Sequence, residues 1–168
     1  MSLPLVIFSH GQESGPWGTK IRAMAAAVRE LGCRAESIDY QGIADPGARA
    51  DKLVDQAAGY AEPLLLVGSS MGGHVATAAA ARLNAVGLFV LAPAYDMPGF
   101  ATLTPPPGVP LSIVHGWRDD IVPVANSIAF ARQCHAALHI LDGDHRLTDN
   151  IDEINLLLVQ FVARIAGG

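Results

Sequence analysis

The sequence predicts a three-layer α/β/α fold around a mainly parallel sheet of about six strands. Two observations carry this. Short, unbroken apolar runs recur along the chain, and between them lie segments with apolar residues at helical spacing. Unbroken apolar runs suit central parallel strands covered on both faces. Their alternation with helices implies βαβ units, whose crossovers are right-handed.

In chain order, Leu5-Val6-Ile7-Phe8 is the first such strand. It has no basic segment before it and ends at His10-Gly11, so it does not read as a signal peptide. Ile21, Met24, Val28 and Leu31 recur at helical spacing, with Gly32 as a stop. Cys33 to Ile38 alternates and carries charge, as an edge strand needs to avoid sticking to its neighbours. Pro46 opens a helix containing Leu53, Val54 and Ala57, and Leu64 to Val67 is the next strand. Met71 to Leu83 is rich in alanine, the best helix former, whose small side chains allow close packing on a sheet. Strands follow at Leu88–Leu91 and Leu111–Val114, then a helix at Ile121–Cys134. Leu138 to Leu141 is short and partly polar, a second edge. Asn150 to Ile165 carries a core-facing stripe through Ile154, Leu158, Phe161, Val162 and Ile165.

Composition bounds the function. A length of 168 residues suits one domain, read here as 1–168. The formal net charge of −5 and the lack of a basic patch argue against nucleic acid, whose binding rests on Lys and Arg. No apolar run reaches the ~20 residues that a membrane helix needs. Cys33 and Cys134, without CxxC spacing, suggest neither a disulfide framework nor a zinc site. Two ordinary thiols fit a reducing compartment, and a cytoplasmic protein is expected. Oligomeric state has no signature here.

In a parallel sheet the functional loops gather beyond the carboxyl ends of the strands. There lie Ser9-His10-Gly11-Gln12-Glu13, Gly68-Ser69-Ser70-Met71-Gly72, His115-Gly116-Trp117-Arg118-Asp119-Asp120 and Asp142-Gly143-Asp144-His145. The sharpest signal is Gly68-x-Ser70-x-Gly72. It follows an apolar strand and opens an alanine-rich helix, the setting of a nucleophile elbow. A Gly-Ser helix cap is the bland alternative. Gly15-x-x-Gly18-Thr19-Lys20 lacks the order of a phosphate-binding loop. Asp142 to Glu153 has Leu147 where a calcium loop requires glycine.

On these motifs the whole chain resembles a minimal α/β-hydrolase, similar to the small, lidless, esterase-like bacterial members. The resemblance implies the chain order nucleophile, acid, histidine: Ser70, Asp119 and His145. The segment His115-Gly116-x-x-Asp119-x-x-Val122-Pro123 favours Asp119 over Asp120, which is left free to cap the next helix. Gly143-Asp144-His145 matches the family's Gly-x-His. The oxyanion hole is expected from the backbone N–H groups of Met71 and Gln12, with Glu13 the alternative to Gln12.

The resemblance further implies acyl chemistry on a small-molecule ester or thioester, with no metal and no organic cofactor. Candidate pocket residues are His10, Trp17, His74, Tyr95, Met97, Phe100 and Trp117, although the resemblance implies a structural part for His10 and His115. The proline-rich stretch Ala92 to Val109 is too short for a substantial cap, which predicts an open, shallow site. A binding module that keeps a silent triad is the alternative. It would be favoured by a site plugged with Trp17 or Trp117. A third possibility is an adaptor using an apolar patch at Tyr95 to Phe100.

Overall fold

A computed structural model describes residues 2–168. Among them, the elements run β1 (Leu5–Ser9), α1 (Thr19–Glu30), β2 (Ala35–Ile38), α2 (Pro46–Ala57), β3 (Leu64–Ser69) and α3 (Met71–Ala80). Then come β4 (Gly87–Leu91), β5 (Leu111–Gly116), α4 (Val124–Cys134), β6 (Ala137–Leu141), a 3-10 turn (Thr148–Asn150) and α5 (Ile151–Gly167). The six strands form one sheet in the order β2-β1-β3-β4-β5-β6, and every pairing is parallel.

The burial of each strand matches its place. β1, β4 and β5 are buried at every residue, as central strands covered on both faces must be. β2 and β6, the polar and alternating strands, are the two edges. Two apolar cores flank the sheet. On one side Leu5, Ile7, Leu64, Leu66, Leu88 and Val90 meet side chains of α2, α3 and α4. On the other, Val6, Phe8, Leu65, Val67, Phe89 and Leu91 meet α1 and α5. Strand residues therefore alternate between cores with the period of two that the pleat imposes.

The order of strands decides where a site can form. From β1 the chain steps outward to β2, then crosses back to β3 on β1's other side. Ligands bind in the crevice beyond the strand ends at such a reversal. With Ser9 paired to Gly68, the loops leaving β1 and β3 emerge side by side.

Several boundaries differ from expectation, three of them at helix ends with local causes. The fourth helix starts at Val124, not Ile121, because Asp119 first turns the chain by accepting N–H bonds from Ile121 and Val122. Asp120 therefore caps nothing, and Pro123 holds the N-cap position. The elbow helix ends at Ala80 rather than Leu83, its C-terminus unwinding towards Asn84, which has a left-handed φ of 49°. The last helix starts at Ile151, preceded by the 3-10 turn. No helix joins β4 to β5.

Candidate active site

At the end of β3 the chain turns straight into α3 through Ser70, whose φ of 56° and ψ of −119° lie outside the regions L residues favour. Such a conformation costs of order 1–3 kcal/mol and persists only where its surroundings enforce it. They do so here. The Ser70 N–H donates to Leu91 O, and the Ser70 carbonyl accepts from Gly73, His74 and Ala94. The flanking glycines make the turn sterically possible. A Cβ on Gly68 would sit 2.1 Å from Gly72 O, and one on Gly72 would sit 1.9 Å from Ser9 O.

The three residues expected to act together do converge. Ser70 Oγ lies 3.0 Å from His145 Nε2, and His145 Nδ1 lies 2.7 Å from Asp119 Oδ2. A carboxylate only accepts, so Nδ1 carries the imidazole proton and Nε2 is free to accept from the Ser70 hydroxyl. The loops that hold Asp119 and His145 are tied together: Trp117 N–H donates to Leu141 O, and Arg118 N–H to Gly143 O. Beneath His145, Asp144 Oδ1 accepts from Arg146 and Leu147, and Leu147 is fully buried.

The Asp119 side chain is fully buried, and both of its oxygens are engaged. Oδ1 accepts from the two backbone N–H groups and Oδ2 from His145, while Nε2 of a second histidine, His115, lies 3.0 Å from Oδ2. His115 Nε2 also faces Val122 O at 2.9 Å, so that nitrogen is protonated and Nδ1 accepts from Ser127 Oγ. Burial holds the His115 pKa below its ordinary value, consistent with a neutral ring. His115 thus braces Asp119, beyond the structural part that its place in the sequence suggested.

Beyond β1, Gly11 packs against the elbow: a Cβ there would meet Ser70 Cβ at 3.6 Å. The backbone N–H groups of Met71 and Gln12 have no hydrogen-bond partner among the described residues. The Glu13 N–H is likewise without a partner, so both candidates for the second donor remain free. His10 does not face a pocket. Its buried ring accepts the Tyr40 N–H at Nε2 and therefore donates from Nδ1 to Gly11 O. Asp39 Oδ1 lies 3.9 Å from Nε2, yet burial keeps the ring neutral and its pKa low.

A sequence model of the alpha/beta hydrolase family matches residues 6–159. The chain belongs to the α/β-hydrolase family. Among solved structures it is similar to a protein of the alpha/beta hydrolase superfamily from Xanthomonas campestris pv. campestris. That match has 29% identity and a TM-score of 0.90, covering 98% of this chain and 99% of the other. It also resembles an α/β serine hydrolase without a lid from Xanthomonas campestris at 20% identity and TM-score 0.72, covering 99% and 88%. Est1E from Butyrivibrio proteoclasticus shares the fold at 19% identity and TM-score 0.82, covering 99% and 89%. No match is found among curated proteins.

Of the remaining pocket candidates of this α/β-hydrolase, Tyr95 and His74 are buried in packing, while Trp17 and Trp117 are exposed. Tyr95 is only 2% exposed; its ring stacks on Phe130 and its hydroxyl bonds Thr77 Oγ1. His74 is buried edge-on against Phe100. Met97 meets the Asn126 side chain at its sulfur. A cavity of about 260 Å³ lies between this segment and α4, lined by Tyr95, Thr102, Asn126 and Phe130, but no triad residue forms its wall. Trp17 and Trp117, in contrast, are 41% and 60% exposed, with Ile121 of the Asp119 loop at 58%. Lys20, read only as part of a rejected phosphate-loop pattern, reaches from α1 to donate to Ser69 Oγ at 3.0 Å. It shares a helix face with Met24 and Val28, and a cation on a buried stripe is the signal that marks it. No helix among the described residues is long and apolar enough to cross a membrane.

Proposed function

We propose that this protein is a serine hydrolase that cleaves a small carboxylic ester, or a thioester, through an acyl-enzyme on Ser70. The observation that carries the proposal is the unbroken line of hydrogen bonds from Ser70 Oγ through His145 to the buried Asp119, at 3.0 and 2.7 Å. His145 Nε2 takes the hydroxyl proton as Ser70 attacks the carbonyl, and returns it to the leaving group as the tetrahedral intermediate collapses. Asp119 keeps the imidazole in the required tautomer and stabilises the imidazolium. Met71 and Gln12 N–H groups receive the oxyanion. Water then attacks the acyl group with His145 as base. Chemistry of this kind needs donors fixed in advance, since reorienting dipoles during the reaction costs free energy.

The binding-module alternative draws no support. Trp17 and Trp117 are 41% and 60% exposed, and Tyr95, which the adaptor reading would place in an apolar patch, is buried. The exposed Trp117 and Ile121, on the loop that carries Asp119, offer an apolar border for an acyl or aryl group.

The test is covalent labelling with a fluorophosphonate, read by intact mass on wild type, Ser70→Ala and His145→Ala. One adduct on Ser70 in wild type, and none in either variant, is expected. A folded wild type that takes no label would overturn the proposal.

A further inference from the structure

Arg49, on α2, is 2% exposed, and no carboxylate among the described residues lies within salt-bridge distance of it. A buried cation without a counter-charge is costly. All its hydrogen bonds go to backbone carbonyls: Nε to Ile43 O at 2.7 Å, and Nη1 to Gly11 O at 3.2 Å and His10 O at 3.4 Å. Its guanidinium also lies over the Tyr40 ring, 5.4 Å from the centroid. Tyr40 is the residue whose N–H sets the His10 tautomer. The loop after β1 is therefore held from beneath by one connected group of side chains.

The Gly11 carbonyl is the focus. It accepts from His10 Nδ1 at 2.7 Å, from Arg49 Nη1, and from Ser14 Oγ at 3.5 Å. There is no cis peptide bond among the described residues. In a planar trans peptide the C=O and N–H point in opposite directions. Fixing Gly11 C=O towards Arg49 therefore fixes Gln12 N–H the other way. Glu13 N–H is not constrained by this carbonyl, since it opposes the carbonyl of Gln12. A charged donor on the carbonyl also polarises the peptide and strengthens its N–H as a donor.

We propose that Arg49 is a positioning residue for the oxyanion hole: through the Gly11 carbonyl it aims and polarises the Gln12 N–H towards the oxygen that turns negative on the substrate. This rests on the serine-hydrolase reading above. Arg49 does not touch the substrate; its effect is carried by one peptide unit.

The test compares wild type, Arg49→Lys and Arg49→Met in three measurements. These are p-nitrophenyl acetate hydrolysis, inhibition by a short-chain trifluoromethyl ketone, and thermal unfolding. The ketone forms a hemiketal with an activated serine and places its oxyanion in the hole. Losing an oxyanion donor outright costs ~10²–10³ in rate, so a misaimed one in Arg49→Met should lower kcat by roughly 10- to 100-fold with KM little changed. Affinity for the ketone should weaken by the same factor. Arg49→Lys should recover part of both, because an ammonium restores the charge but not the fork. A merely structural role would lower the unfolding temperature without this parallel loss. A folded Arg49→Met with wild-type kcat and ketone affinity would overturn the proposal. If Arg49→Met does not fold, Arg49→Lys decides: parallel loss supports the proposal and unchanged constants overturn it. Wild type inert to both ketone and fluorophosphonate would bring down the hydrolase reading and this proposal together, whereas an active wild type isolates the role of Arg49.

Discussion

The buried Asp119 side chain accepts three hydrogen bonds, two from backbone N–H groups and one from His145, with His115 Nε2 a further 3.0 Å neighbour of Oδ2. That arrangement makes its replacement by asparagine informative. The amide oxygen of Asp119→Asn would stay on the Ile121 and Val122 N–H groups, which leaves the NH₂ facing His145 and His115. His145 Nδ1 would then have to accept, its proton would move to Nε2, and Nε2 could no longer take the Ser70 proton. The expected loss in kcat is ~10⁴ with the fold intact. Steady-state hydrolysis of p-nitrophenyl acetate measures it, and a variant with wild-type kcat would remove Asp119 from the mechanism. Single residues were legible in the sequence where a local pattern decides them, as the glycines around Ser70 do. They were not legible where distant partners decide. Tyr95 is buried because Thr77, 18 residues earlier, receives its hydroxyl. Arg49 shares a helix face with Leu53 and Ala57, which hinted at burial, but two of the three carbonyls it serves lie 38 and 39 residues away.

Among the elements, α1 carries an unusual first turn. Lys20 sits at the positive end of the helix dipole, with no acidic residue in that turn, and reaches into the site edge. Burial lowers its pKa to about 8, against the opposing pull of Asp144 and Asp119. The chain has only two lysines, Lys20 and Lys52, so peptide mass assigns a modification without ambiguity. Competitive acetylation across a pH series should show Lys20 becoming reactive with a midpoint near about 8. A midpoint at the ordinary lysine value would show that its ammonium is fully solvated. The elements themselves were well foreshadowed. Central strands read as unbroken apolar runs because both faces are covered, and the polar, alternating segments became the edges. The start of α4 was hidden, since an aspartate that turns the chain and an aspartate that opens a helix look alike until their N–H partners are known.

Over the whole molecule, three buried histidines link stability to pH. His10, His74 and His115 are each held below their ordinary value of 6.5 by burial. The folded state binds protons there less readily than the unfolded chain. The stability they confer is complete above pH 6.5 and is lost as the pH falls below it through the folded-state values. Urea unfolding followed from about pH 7.5 to about pH 5 should show the midpoint falling within that window, before most carboxylates titrate. A flat midpoint would mean that these rings accept protons without disturbing their partners. The parallel architecture was readable from the alternation of patterns. The strand order was not, because apolar runs alone do not say on which side of β1 the third strand lands.

The bare connection between β4 and β5 divides the chain in a way that matters for building with it. Gln12, Ser70 and Met71 lie before it, and Asp119 and His145 lie after it. The proposed nucleophile and oxyanion donors belong to one contiguous segment, the proposed acid and base to the other. Among the described residues, the connection's backbone hydrogen bond to Ser70 is at its start, through Ala94 N–H. Backbone scission around Pro106 to Gly108 would sever no member of the triad from its own strand. It would place the two halves of the machinery on separate pieces, so that turnover becomes a reporter of their reassembly.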